Sequence, residues 1–344
     1  MKIGFHVGQV VFRGADLQQQ WRDHLEQLRA CRDAGFAFVS WGHHVLIHPF
    51  QHFQPIPVLA RFAADAGAMD LVTGVLLAPF LNPVQLAEDL ATLDHVCAGR
   101  LVVGLGLGHR PEELETAGAT MAERAGRLEE ALALMKRLWA EDEVTHHGRF
   151  YRLTGARPTA RPCQRPYPRV WLAASTERAV RRAARLGHPF YALGTLSTAA
   201  LARLLAAWRE GLREHGHAEP VEVPVLREMY VAATREEAWR LARPRVAAKY
   251  EGYAQHGLPG VDGALAGGLD ALMRDPFIVG SPEDCVETLH RHAAMGVTHV
   301  AVRLFWPHMA QAEVLRMIHL VGERVIPRCA APASPTAGTR SPSA

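Results

Sequence analysis

The sequence predicts a single (β/α)8 barrel of the TIM type with insertion segments, and three observations carry that prediction. Short apolar runs alternate with longer amphipathic segments from one end of the chain to the other, the signature of repeated βα units around a parallel sheet. The apolar runs number eight, the count at which strands and crossovers close into a barrel. With 344 residues and 49% hydrophobic content, the chain has the material for so large a core. A doubly wound open sheet shows the same alternation and stays open as the alternative, because periodicity does not reveal closure.

The candidate strands are residues 2–7, 37–41, 70–77, 101–107, 169–173, 189–193, 222–232 and 297–304. Between them, residues 17–34, 83–97, 120–140, 201–215, 235–253 and 282–295 have helical apolar spacing, several opening on a proline or a capping residue. Two segments leave the repeat. Residues 148–168 are too rich in proline and glycine for a helix and read as a long extended loop before the fifth strand. Residues 257–268, GLPGVDGALAGG, read as a linker, with a mobile lid as the alternative. Residues 330–344 are low in complexity and are expected to be a disordered tail, which leaves 1–329 as the barrel domain.

Composition excludes several classes of partner. The net charge of +3 is small for this length, and no long basic run is present, so nucleic acid is not an expected partner. The opening MKIGFHVGQVVF has one basic residue and does not read as a secretory signal, and no apolar stretch reaches membrane-span length. A cytoplasmic protein with no membrane partner is expected. The five cysteines lie far apart with no close pair, which argues against a disulfide framework or a zinc ribbon.

Three stretches could carry chemistry. In the fourth strand, Gly104, Gly106 and Gly108 fall on one face by strand alternation. A face without side chains suits the approach of a flat ligand or of another backbone. After the fifth strand, Ala174-Ser175-Thr176-Glu177 opens a helix. Ser175 or Thr176 suits an N-cap, and the same free amides can hold a phosphate. After the second strand, His43 and His44 stand where a barrel places catalytic groups, although either equally suits a structural role. His44, His48 and His52 have the spacing of helical metal ligands, but Pro49 interrupts that helix and no carboxylate accompanies them, so no metal is expected.

These stretches resemble the bacterial luciferase-like family over nearly the whole chain. The resemblance rests on the Trp41-Gly42-His43-His44 step, on residues 72–108 across strands three and four, on the proline-rich run from Arg161 to Trp171, and on residues 277–307 with the later Val-Ile-Pro. It implies a barrel that binds FMN, or the 8-hydroxy-5-deazaflavin coenzyme in sister subfamilies, at the carboxyl ends of its strands. The ring would lie near Gly74, Val75 and Gly106, and the phosphate near Ala174, Ser175 and Thr176. It also implies a cis peptide between Gly74 and Val75 in a bulge of the third strand. Many family oxygenases carry Glu-His-His where this chain has Gly42-His43-His44.

The function expected from the resemblance is a monooxygenase that takes reduced FMN from a separate flavin reductase and oxygenates a small organic substrate with O2. His43 is the acid-base candidate, His44 its support, and His109 and Arg110 are candidates for substrate or phosphate contact. Arg110 equally suits a pair with Glu112 or Glu113. The alternatives are a deazaflavin-dependent hydride-transfer enzyme, a non-catalytic flavin-binding protein, and a metal-dependent hydrolase on the same barrel. A homodimer is an option.

Overall fold

The computed structural model describes residues 1–7, 11–12, 14–48, 50–255, 268–306 and 309–329. Of the expected linker at 257–268, residues 257–267 lie outside these described residues, as does the expected disordered tail, while Gly268 opens a short helix, Gly268–Arg274. Eight strands form one parallel ring: β1 Lys2–His6, β2 Phe38–Trp41, β3 Asp70–Thr73, β4 Leu101–Gly106, β5 Arg169–Ala174, β6 Phe190–Ala192, β7 Pro224–Val231 and β8 His299–Arg303. They run in the order β5-β6-β7-β8-β1-β2-β3-β4, and β4 pairs with β5 from Arg169 opposite Val102 to Leu172 opposite Leu105. That last pairing closes the barrel and excludes the open sheet.

Helices cover the outside: α1 Leu17–Asp33, α2 Pro55–Phe62, α3 Pro83–Val96, α4 Arg124–Ala140, α5 Glu177–Arg185, α6 Thr198–Glu214, α7 Arg235–Gln255, α8 Pro282–Ala294 and α9 Gln311–Arg324. Several start where the sequence predicts them. The Asp16 carboxylate accepts from the Gln18 and Gln19 amides, Asn82 accepts from Val84 and Gln85 ahead of Pro83, and Ser281 and Asp284 form a capping box.

Two-sided burial explains why the strands read as continuous apolar runs. In β4, Val103 and Leu105 belong to the core under the helices, while Val102 points into the barrel. The interior layer takes one side chain from each of seven strands: Phe38, Val72, Val102, Trp171, Tyr191, Leu226 and Ala301. The eighth strand supplies Gly4, where a Cβ would stand 2.3 Å from the Phe38 ring. Below this layer the amino-terminal end is stoppered. Arg169 bridges Asp70 at 2.8 Å and Glu222 at 2.9 Å, Trp171 donates from Nε1 to Glu222, and the His299 ring lies 5.6 Å from that of Trp171.

One reading of the sequence needs correction, and the bulge that the resemblance implies in the third strand is present. Residues 148–168 are not a continuous loop: Arg152–Ala156 pairs antiparallel with Val144–His147 as a hairpin. Its connection is organised from outside the segment, because the Glu130 carboxylate on α4 accepts from the amides of Arg149, Phe150 and Tyr151 at 2.9–3.1 Å. The third strand is interrupted: β3 ends at Thr73 and a short piece, Leu76–Leu77, resumes beside β4. Leu71 pairs with Leu101 but Leu76 with Leu105, so the third strand carries one extra residue, a bulge. The Gly74–Val75 peptide inside it is cis.

Candidate active site at the carboxyl end of the barrel

The strand ends around the open mouth are low in side-chain bulk where β2, β3 and β4 finish, at Gly42, Gly74 and Gly106. A Cβ on Gly42 would meet only ordinary contacts, the nearest atom being the Gly74 carbonyl oxygen at 3.6 Å. On Gly106 it would stand 2.6 Å from Val75 Cγ2, and on Gly104 2.0 Å from the Thr73 carbonyl oxygen. The glycine face of β4 is therefore filled at Gly104 by the backbone of the bulge, and at Gly106 by Val75. Of the two approaches a bare face permits, this one is another backbone. Above Gly106 the rim opens, since a Cβ on Gly108 would meet nothing closer than Leu77 Cδ1 at 3.9 Å.

The start of α5 stands beside this rim. Gly106 Cα faces Ala173, whose Cβ would lie 3.6 Å from a Cβ on Gly106, and Ala174, Ser175 and Thr176 follow directly. Ala174 is buried, Ser175 half-buried and Thr176 exposed, and the Thr176 hydroxyl caps the helix by accepting from the Ala179 amide at 3.3 Å. The amides of the first helical turn have no intrahelical carbonyl to bond, as at any helix start.

The two adjacent histidines have different surroundings. His43 is buried, its ring 5.2 Å from that of Phe80, and the Leu77 amide donates to its Nδ1 at 3.2 Å. An Nδ1 that accepts leaves the proton on Nε2, and burial, followed by the nearby His44, pulls the His43 pKa down to about 4, so the ring is neutral. It borders a cavity of ≈ 440 Å³ with Pro55, Ile56, Leu76, Leu81 and Leu86. His44 is partly exposed and its Nδ1 lies 3.0 Å from Glu113 Oε1, which also accepts from the Val45 amide. Burial raises the Glu113 pKa, but His44, the Val45 amide and Arg110 outweigh it and hold the carboxyl below its ordinary value. An ionised carboxylate only accepts, so His44 donates from Nδ1 to Glu113.

Around this pair, the His109 ring lies 6.0 Å from that of His44, and His109 Nε2 is enclosed without a hydrogen-bond partner. Burial, then His44, lowers the His109 pKa. His52 donates from Nε2 to the Gly42 carbonyl at 3.0 Å. Arg110 sits 3.8 Å from Glu112 rather than on Glu113. His44, His48 and His52 do not assemble a ligand set, and no group of three His, Cys, Asp or Glu side chains among the described residues is placed to hold a metal ion.

Sequence reasoning missed part of the floor. His6, at the end of β1, is buried with Nδ1 2.9 Å from Ser40 Oγ, and the Tyr191 hydroxyl is enclosed nearby. Glu228 on β7 accepts from Lys249, Arg303 and Trp306, and these partners hold its carboxyl ionised against complete burial. The signal for His6 was present, because it shares a strand face with Gly4 two residues earlier and so points into the barrel. Nothing in the sequence marked its partner Ser40, which lies on the neighbouring strand.

Comparison with known proteins agrees with this architecture. The solved monooxygenase RslO1 from Streptomyces bottropensis superposes with a TM-score of 0.82 at 25% identity, covering 96% of this chain and 100% of that one. The oxygenase component of a flavin-dependent trigonelline monooxygenase from Acinetobacter baylyi is 29% identical over 64% of this chain and 62% of its own length, so the match spans less than two thirds of that protein. An F420-dependent glucose-6-phosphate dehydrogenase from Intrasporangium calvum is 30% identical over 73% of this chain and 81% of its own. The profile of the luciferase-like monooxygenase family matches residues 1–299, and the chain belongs to that family.

Proposed function

We propose that the protein is a monooxygenase that uses reduced FMN and O2 to oxygenate a small organic substrate, with the flavin delivered by a separate reductase. The observation that carries this reading is the adjacency of the low apolar rim at Gly74, Val75 and Gly106, where the Val75 side chain covers Gly106, to the capped helix start at Ala174, Ser175 and Thr176. A planar ring fits against the first, and a phosphate fits the free amides of the second. The likeness to the trigonelline monooxygenase supports the oxygenase class and the separate reductase.

When bound, reduced FMN supplies the two electrons with which one oxygen atom enters the substrate and the other leaves as water. The chain's own residues bind and orient it. Val75 and Gly106 give the ring a smooth apolar seat, and Ser175 and Thr176 hold the phosphate. His44 is the acid-base candidate best supplied with partners, since Glu113 holds its Nδ1 and the ring stays partly exposed. His43, bonded to the Leu77 amide, ties the segments after β2 and β3 together beneath the site, and is the second candidate for the chemistry. His109 and Arg110 stand at the rim to meet substrate or phosphate.

The second reading, a deazaflavin-dependent hydride transfer, is favoured by the F420-dependent relative. Titration with FMN and the deazaflavin coenzyme, oxidised and reduced, separates the two. Tight binding of reduced FMN with O2 consumption supports the monooxygenase; preference for the deazaflavin without O2 uptake overturns it.

A further inference from the structure

We infer that His6 is a flavin-facing residue of the mouth, donating a hydrogen bond from Nε2 to the polar pyrimidine edge of the reduced ring, with Ser40 fixing the imidazole that does so. The inference rests on the proposed FMN reading and adds a residue to it.

His6 lies directly under the rim. Its Nδ1 is 3.6 Å from the place of a Cβ on Gly74, and its Cε1 and Nε2 are 3.8 and 3.9 Å from that of a Cβ on Gly42. One imidazole thus underlies the glycines that end β2 and β3. Its neighbours hold it in place: Ser40 pairs with it across β1 and β2, Ser40 is wholly buried, and Ser40 Oγ and His6 Nδ1 are 2.9 Å apart. Ser40 Cβ is also 3.1 Å from the place of a Cβ on Gly74, so the ring cannot drop away from the rim without displacing the serine.

The proton arrangement follows from the same contacts. Burial, then Arg303, His52, Lys249 and His44, keeps the His6 pKa well below 6.5, so the imidazole is neutral with one donor and one acceptor nitrogen. The Tyr191 hydroxyl is enclosed and makes no hydrogen bond to Ser40, whose hydroxyl is left to His6. With the Ser40 hydroxyl donating to His6 Nδ1, the imidazole proton sits on Nε2. Nε2 has no protein partner among the described residues and is not one of the sealed polar atoms. A neutral N–H at the floor of the mouth therefore has its acceptor still to come, and an electron-rich carbonyl edge supplies one.

The test is a binding titration with reduced and oxidised FMN, read by fluorescence, on wild type, His6→Leu, His6→Gln and Ser40→Ala, together with the potential of bound FMN. His6→Leu keeps the volume and removes the donor. It is expected to weaken reduced FMN about tenfold with little change for oxidised FMN, which lowers the bound potential by about 30 mV. His6→Gln retains an N–H and is expected to stay within about twofold; Ser40→Ala is expected to fall between. Equal loss for both redox states, or a Gln variant as weak as the Leu variant, overturns the role of His6 while leaving the FMN reading intact. If His6→Leu does not fold, unchanged reduced-FMN affinity in Ser40→Ala overturns it. Absence of FMN binding to the wild type removes the FMN reading, and this inference with it.

Discussion

The Thr73 hydroxyl accepts from the Gly104 amide at 2.8 Å and donates to the Gly104 carbonyl at 2.9 Å. One side chain thus replaces the ladder bonds that β3 and β4 lose where the bulge separates them, and both backbone groups are buried. Thr73→Val keeps the shape and leaves both groups without a partner, at a cost of about 1–3 kcal/mol for each buried group orphaned. Thr73→Ser keeps the hydroxyl and is expected to stay near wild type. Denaturant midpoints check this; a valine variant as stable as the serine variant would show that the hydroxyl bonds carry no weight.

Gly104→Ala is expected to be worse than an ordinary core substitution. The new methyl would stand 2.0 Å from the Thr73 carbonyl oxygen, which is backbone and cannot swing aside. Overpacking of this kind costs about 1–3 kcal/mol or more. An unchanged melting temperature in Gly104→Ala would contradict the placement of the bulge.

Stability should fall in mild acid. His24, His43 and His292 are each pulled down to about 4, burial being the first cause in every case. Their unfolded value is near 6.5. Because the folded pKa lies below the unfolded one, the unfolded chain binds more protons between pH 6.5 and 4. The stability these rings contribute is therefore present above 6.5 and lost as pH falls toward 4. Urea denaturation across pH 8 to 4 measures it, and a flat midpoint between 6.5 and 4.5 would refute the buried, neutral assignment.

The two adjacent histidines should separate. His44→Ala is expected to cut substrate oxygenation by about 10² to 10⁴, the usual contribution of a positioned acid or base, with FMN affinity nearly unchanged. His43→Ala is expected to lower thermal stability, since the Leu77 amide loses its acceptor and the Phe80 ring a neighbour. Steady-state turnover beside melting curves for both variants decides it. Loss of product per O2 confined to His43→Ala, at unchanged stability, would move the chemistry back to His43.

At the start of α5, Thr176→Glu sets a negative charge where the phosphate is proposed to sit, and reduced-FMN affinity should fall severely. Thr176→Ser, which keeps the cap, serves as control. Equal affinity of the glutamate and serine variants in a titration would remove the phosphate from this helix.

The barrel was legible because parallel strands covered on both faces leave long apolar traces, and all eight appear where the sequence shows them. Helix α2 was not visible: PIPVLARF is short and carries two prolines, tolerated because they fall in its first turn. The hairpin at 144–156 was missed because the acceptor that holds its turn, Glu130, comes from α4. At the site, the glycines pointed to the right strands, but Thr73 and Val75 fill the space at Gly104 and Gly106. His44 and His109 were named as candidates, whereas the acid that links to His44 was read as a partner for Arg110. Contacts across 69 residues, such as His44 with Glu113, leave no spacing to read.

The stopper formed by Arg169, Asp70, Glu222, Trp171 and His299 gives the barrel one working end. Among the described residues the buried layer from Phe38 to Ala301 fills the axis above that stopper, so traffic is two-way at the mouth: whatever leaves must clear it before the next arrival can settle. Occupancy there is a queue. Under the proposed oxygenation, excess substrate competes with departing product for the same opening, and the order in which molecules arrive becomes a property of the architecture as much as of their affinities.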